Sequence, residues 1–164
     1  MQIMIIRTAV MDDLEQIAGV ERACFPVSEA ATKAEFQERL TYYASHFLLM
    51  FDGPKLISFV DGFVTDEPDL TDEMYANARL HCENGRWQMI FGVNTLPEYR
   101  RRGYAGQLLN AFIEQARKEG RRGLVLTCKD ALVHYYAGFG FVNEGRSDKS
   151  QHGGAEWNQM RLIL

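Results

Sequence analysis

Val93-Asn94-Thr95-Leu96-Pro97-Glu98-Tyr99-Arg100-Arg101-Arg102-Gly103-Tyr104-Ala105-Gly106 decides how this chain is read. The apolar run Trp87 to Val93 before it predicts a strand. From Gln107 to Glu119 after it, Leu108, Leu109, Phe112, Ile113 and Ala116 recur on one helical face. A strand therefore feeds a helix through a basic turn containing small residues. The first amide N–H groups of a helix lack intrahelical partners, and the macrodipole adds positive potential there. Gly103, Ala105 and Gly106 keep bulk away, so an anion can approach the backbone. The stretch reads as a phosphate or pyrophosphate cradle, with a solvated basic turn as its plain alternative.

The type of cradle narrows by elimination. A Walker A loop ends in Gly-Lys-Ser/Thr, whereas Tyr104 follows Gly103. Gly103 and Gly106 do not complete the three glycines of a dinucleotide fingerprint. Arg100-Arg101-Arg102-Gly103-Tyr104-Ala105 fits R/Q-x-x-G-x-G/A, three residues after a proline, and resembles the acetyl-CoA motif of the GNAT N-acetyltransferases.

Composition suits one globular domain over residues 1–164: 46% hydrophobic, 24% charged. A net charge of −4 argues against nucleic-acid binding despite three consecutive arginines. Cys24, Cys82 and Cys128 are odd in number and form no CxxC, so neither a disulfide framework nor a metal site is expected. The opening Met1-Gln2-Ile3-Met4-Ile5-Ile6 is too short for a signal h-region, and no apolar run approaches membrane-spanning length. A reduced cytoplasm is the expected compartment.

In chain order, Ile3, Ile5 and Ile6 predict a first strand. Asp12, with Glu15 three residues on, predicts a helix cap. That helix carries Leu14, Ile17, Ala18, Cys24 and Phe25 on one face and stops at Pro26, and Glu21 falls within its apolar stripe. A carboxylate there needs a partner, a cleft or a proton. Thr32 and Glu35 form a second capping pattern before Phe36, Leu40 and Tyr43. Phe47–Phe51 and Leu56–Thr65 read as a hairpin through Asp52-Gly53, with Gly62 as a candidate bulge. Residues 66–86 form an irregular acidic excursion with a short helix expected within Thr71–Leu80, either a substrate loop or a surface insertion. Leu124–Cys128, a helix over Ala131–Ala137, and strands at Phe141-Val142 and Trp157–Leu164 close the chain. The pattern predicts an α/β domain with a mixed sheet of about seven strands.

Two further stretches strengthen the resemblance. Tyr135-Tyr136-Ala137-Gly138-Phe139-Gly140-Phe141 is similar to the GNAT signature Y-x-x-x-G-F, and Cys128-Lys129-Asp130-Ala131-Leu132-Val133 to the corresponding segment of the arylalkylamine (serotonin) N-acetyltransferases. Glu21-Arg22-Ala23-Cys24-Phe25-Pro26 resembles the Glu-Arg-Glu-Ala-Phe region of that branch. The resemblance implies acetyl-CoA between two splayed central strands, helices on both faces of the sheet, and no metal. Val93, Asn94 and Thr95 would hold the pantetheine arm, and Arg100 to Gly106, including Tyr104, the pyrophosphate. Tyr136 would protonate the departing thiolate, while Tyr135 packs. Glu21 is the candidate proton acceptor or ammonium holder, with a structural carboxylate as its alternative.

The chain departs from that branch where its two histidines fall, at Met89 and Phe91, which cannot titrate. His134 lies two residues from Tyr136 and projects elsewhere on a helix, and nothing in the sequence directs His46. Cys128, in an apolar run, is expected to be inert. The expected reaction is direct attack by a small primary amine, an arylalkylamine or a polyamine, on the thioester. A homodimer is admitted; membrane and nucleic acid are not expected partners. The alternatives are a non-catalytic acyl-CoA-binding module and a protein N-terminal or lysine acetyltransferase.

Overall fold

Two apolar runs that read as single strands are each broken in the folded chain, and the breaks divide the molecule. The computed structural model describes residues 3–151 and 154–164; Met1 and Gln2 of the opening run lie outside them. In chain order the elements are β1 (Met4–Thr8), α1 (Leu14–Cys24), α2 (Lys33–Tyr43), β2 (Phe47–Asp52), β3 (Lys55–Asp61), β4 (Val64–Thr65), α3 (Asp72–Ala76), β5 (Trp87–Ile90), β6 (Gly92–Thr95), α4 (Tyr104–Lys118), β7 (Gly123–Cys128), α5 (Val133–Ala137), β8 (Val142–Arg146) and β9 (Asn158–Ile163). The expected strand Leu56–Thr65 is β3 and β4, and the expected Trp87–Val93 is β5 and β6. The members of each pair join different sheets. The α/β class and the mainly antiparallel mixed pairing are as expected, but the described residues hold two sheets of four and five strands rather than one of about seven. Two compact units result: Met1–Gly62 with Gly92–Phe112, and Phe63–Phe91 with Ile113–Leu164.

In the first unit the sheet order is β1-β2-β3-β6, antiparallel throughout. Phe36 of α2 meets Phe47 and Phe59 edge-on, with centroids 6.2 and 5.8 Å apart. Tyr43 stacks on Phe47 at 5.8 Å, so these rings form a fully buried aromatic core. The second capping pattern forms as read: Thr32 Oγ1 accepts the Glu35 N–H at 3.1 Å, and Glu35 Oε1 accepts the Thr32 N–H at 2.9 Å. The first does not. Met11–Asp13 is a 3₁₀ turn, and Asp13, not Asp12, takes the Val10 N–H at 2.9 Å. Arg7 grips both oxygens of that carboxylate at 2.8 Å, which fixes the choice.

In the second unit the order is β4-β5-β7-β9-β8, with β5 and β7 parallel and the other pairs antiparallel. The excursion 66–86 is fastened to this unit. Leu70 and Met74 are buried. The Leu70 N–H donates to Gln159 Oε1 at 3.0 Å, and Arg121 donates to the carbonyls of Glu83 and Gly85 at 2.8 Å. A Cβ on Gly85 would stand 2.6 Å from the Thr65 backbone, so only glycine fits where the excursion returns. α4 starts in the first unit and ends in the second, and Leu108, Leu109, Phe112, Ile113 and Ala116 are all buried, the face its periodicity gave. No helix among the described residues is long and apolar enough to cross a membrane.

Candidate active site

Pro97–Tyr99 forms a 3₁₀ turn, and the chain then twists through two left-handed residues, Arg101 (φ 64°) and Gly103 (φ 82°), before α4 begins. The open space around Gly103 would admit a side chain, but its φ is one that L residues rarely adopt. Arg101 holds a comparable φ without that freedom. Such strain in a non-glycine residue costs on the order of 1–3 kcal/mol and collects at ligand clamps. Gln107 is the first residue of the helix start whose N–H is taken, by the Gly103 carbonyl at 3.1 Å. The N–H groups of Arg101 to Gly106 have no hydrogen-bond partner among the described residues. Arg101, Arg102 and Gly103 are exposed. The turn is tied down from behind: the Tyr99 hydroxyl donates to Asp52 at 2.8 Å, and Arg102 and Lys55 lie over its ring, each at 5.5 Å. Unpaired donors, the exposed Arg101 and Arg102 and a helix start suit a diphosphate. Arg100 behaves differently, folding back to donate from Nε to the Thr95 carbonyl at 3.0 Å.

The strand leading into this turn has a free edge. Among the described residues, β6 ends its sheet and pairs only with β3. The Leu96 N–H reaches the Ile57 carbonyl at 2.8 Å, which fixes the alternation of the ladder. Asn94 and Gly92 therefore direct their peptide groups at β3, while Val93 and Thr95 direct theirs to the open side. The Thr95 carbonyl there accepts from Arg100 and from Cys24 Sγ at 3.3 Å. Of the residues expected to hold an extended ligand arm, Val93 and Thr95 turn their peptide groups to the open side. Asn94 turns its backbone to the ladder, and its side chain is buried.

Tyr136, on α5, is buried against Tyr135 and Phe141, with centroids 5.2 and 6.2 Å away. Burial, and then the nearby Cys128, Tyr135 and Tyr75, hold its hydroxyl well above the ordinary phenol range, so it stays protonated at neutral pH. His134 is exposed, the opposite side that its spacing from Tyr136 predicts. Burial, with Asp130 adding to it, pushes the Cys128 thiol up to about 11, which leaves it a poor nucleophile. Met89 is fully buried, and Phe91 packs on Phe63 and Tyr75, each at 5.0 Å, so the titratable pair of the resembled branch is replaced by packing.

Glu21 sits where its helical stripe put it, buried, with both oxygens engaged. Oε2 accepts the Ala31 N–H and Oε1 accepts Asn94 Nδ2, each at 2.8 Å. Sequence reasoning missed its neighbour. Asp61, at the end of β3, is 1% exposed and pairs through Oδ2 with Arg39 Nη1 at 3.0 Å. Burial pushes the Asp61 carboxyl up to about 7, Arg39 opposes the shift, and Glu21 adds to it. The available signal was a lone acid inside the apolar run Leu56–Val64, which must find a buried partner.

Known proteins share the family and the fold of this chain. The sequence profile described as the acetyltransferase (GNAT) family matches residues 12–141. Serotonin N-acetyltransferase of Mesocricetus auratus is 30% identical over 112 residues, 68% of this chain and 53% of that protein, so the chain spans about half the length of this relative. Among solved structures, the loading GNATL domain of CurA from Lyngbya majuscula superposes with a TM-score of 0.85 at 15% identity, covering 98% of each chain. The PaiA N-acetyltransferase of Thermoplasma acidophilum, in complex with coenzyme A, gives 0.72 at 16% identity over 99% of each. At these identities the two structures show the shared fold.

Proposed function

The chain belongs to the acetyltransferase (GNAT) family, and on that premise we propose that it transfers acetyl from acetyl-CoA to a small primary amine by direct attack. The carrying observation is the row of amides from Arg101 to Gly106 at the start of α4, without hydrogen-bond partners among the described residues. Bound acetyl-CoA supplies a thioester: the amine nitrogen bonds to the acetyl carbon, the carbon–sulfur bond breaks, and sulfur leaves as the thiol. The amides from Arg101 to Gly106, Tyr104 and Ala105 included, hold the diphosphate, helped by the guanidinium groups of Arg101 and Arg102. Val93 and Thr95 pair with the pantetheine arm along the free edge of β6, and Arg100 braces that edge. Tyr136 holds a proton at its phenol oxygen for the departing sulfur. Glu21, with both oxygens engaged, orients Asn94. The family match runs through both units, which supports reading 1–164 as one catalytic domain. The amine class follows from the likeness to serotonin N-acetyltransferase.

The test is a panel of arylalkylamines, polyamines and peptide N-termini, read by CoA release. Turnover of a small amine is expected, falling on the order of 10²–10⁴-fold in Tyr136→Phe, with Tyr135→Phe near wild type. Acetyl-CoA binding without turnover of any acceptor would reduce the protein to a binding module, and an acetyl-Cys128 adduct would replace direct attack with a two-step mechanism.

A further inference from the structure

Two hydroxyls from distant parts of the second unit meet at the carboxyl end of the parallel pair β5 and β7. Ile90 stands opposite Leu126 in that pair, so Phe91 and Thr127 follow at the same level of the sheet. Ligand sites in sheets with parallel strands gather beyond such carboxyl ends. Tyr75 of α3 covers this level: its ring lies 5.0 Å from the Phe91 ring, and its hydroxyl is hydrogen-bonded to Thr127 Oγ1 at 2.9 Å. Met89, Val125 and Leu126 behind it are buried, whereas Tyr75, Phe91 and Thr127 are half-buried, so the pair stands where packing gives way to solvent. The chain around Tyr75 is anchored. Asp72 donates its N–H to the Lys149 carbonyl at 3.1 Å and accepts from Ser150 Oγ and the Gln151 N–H at 3.1 and 2.7 Å, and Met74 is buried. Tyr136 belongs to the same neighbourhood. Beyond burial, Cys128, Tyr135 and Tyr75 lie close enough to act on its hydroxyl. The Cys128 thiol turns to Met160 Sδ at 3.6 Å, and Tyr135 is exposed with its ring against Phe139. Tyr75 is the neighbour whose hydroxyl leads on to a second hydroxyl, on Thr127.

We infer that Tyr75 and Thr127 form a proton relay for the attacking amine, whose N–H donates to the Tyr75 oxygen as its lone pair meets the acetyl carbon. The inference rests on the acetyl-transfer reading and deepens it. A hydroxyl both donates and accepts, so each member of the pair takes a proton on one side while giving its own on the other. As the carbon–nitrogen bond forms, the amine proton passes to Tyr75 Oη, the Tyr75 proton to Thr127 Oγ1, and the Thr127 proton to water. Both hydroxyls end neutral, so neither has to hold a charge at half-burial. Tyr136 gives one proton to the departing sulfur and regains one from water. Transfer from a neutral amine therefore releases no net proton.

The test uses the full chain with Tyr75→Phe, Thr127→Val and the double variant. Tyr75→Phe keeps the ring against Phe91, and Thr127→Val keeps the branched shape of the strand residue. On the amine of the panel turned over fastest, each single variant is expected to lose at least about tenfold in kcat, with acetyl-CoA affinity unchanged. The double variant should lose no more than the worse single one, because the two hydroxyls act as a unit. Thr127→Ser, which keeps a hydroxyl, should recover most of the loss. A bond that only holds the fold would instead lower the urea midpoint of both variants and leave kcat alone. Independently of turnover, the protein is labelled with fluorotyrosine, and the Tyr75 signal is assigned by its absence from Tyr75→Phe. With CoA bound, tryptamine or spermidine should shift that ¹⁹F signal. Folded variants within twofold of wild type, additive losses, or a Tyr75 signal unmoved by either amine overturn the relay. A Tyr75 signal that moves with amine in a protein that acetylates no acceptor keeps the amine beside the pair and removes the acetyl-transfer reading instead. Undiminished turnover in both variants does the reverse.

Discussion

β5 and β6 are four-residue strands separated in sequence only by Phe91, and the fold uses them in opposite ways. β5 has a strand on each edge, β4 and β7, and all four of its residues are buried. Its Met89 N–H is held by the Phe63 carbonyl at 2.8 Å. β6 has one partner and leaves the peptide groups of Val93 and Thr95 pointing outward. The unspent donors continue through Arg101 to Gly106. A strand paired on both edges is scaffold, because its backbone has nothing left to offer. A strand paired on one edge, followed by a helix start, is a row of ready hydrogen-bond donors. Natural edges are usually blunted against such exposure. Here no proline or lysine stands among Val93, Thr95 and Arg101 to Gly106 themselves.

Proline substitution breaks the comparison most directly. Met89→Pro removes a donor from a buried ladder and leaves the Phe63 carbonyl to the longer bond from Gln88 Nε2 at 3.2 Å. It is expected to destabilise the protein by about 3 kcal/mol or more, seen as a large drop in the urea midpoint. Gly103→Glu attacks the far end of the open row, adding a side chain at positive φ and a negative charge where we propose that the diphosphate binds. Acetyl-CoA affinity by calorimetry is expected to fall about 100-fold, some 2.7 kcal/mol. Gly103→Asn, which tolerates that φ, should lose far less. Unchanged affinity in folded Gly103→Glu would remove the diphosphate from this turn. Val93→Pro sharpens the contrast with Met89→Pro. The lost N–H faces the open side, so stability should change by less than about 1 kcal/mol while acetyl-CoA affinity drops about tenfold. If Val93→Pro unfolds the protein as Met89→Pro does, the two strands are not used differently.

The smallest effect concerns the acid beside β6. The folded Asp61 value lies above its ordinary one, so the native state binds the proton more tightly than the unfolded chain does. Stability contributed by this group is fully present below the ordinary carboxylate range and declines as pH rises toward about 7. Urea midpoints between pH 5 and pH 7.5 should therefore fall relative to those of Asp61→Asn, which lacks the slope. Parallel curves would show that the acid is not held protonated.

The parts of the molecule legible in the sequence were those set by neighbours in the chain. The α4 face, the Thr32 capping box and the turn at Gly103 each depend on residues within a few positions, where helical period, side-chain reach and permitted φ are local properties. Tyr136 could be separated from His134 for the same reason. The Asp12 cap failed because Arg7, six residues from Asp13, anchors that carboxylate, which takes the Val10 N–H in place of Asp12. The long strands failed because the apolar runs around Gly62 and Phe91 continue through both breaks. Period-2 patterning says where a strand can run, not which sheet it joins.

Glu21 shows the same division within one residue. Its place in an apolar helical stripe required a partner, and that much the sequence alone determined. The partner is Asn94, 73 positions away, and the acid beside them, Asp61, reaches Arg39 across 22. Only the tertiary structure brought these groups together, and only the ladder register put Gly92 opposite Asp61. The physical reason is that burial and pairing decide whether a carboxylate is a strut or a base, and both are properties of the packed interior rather than of the chain.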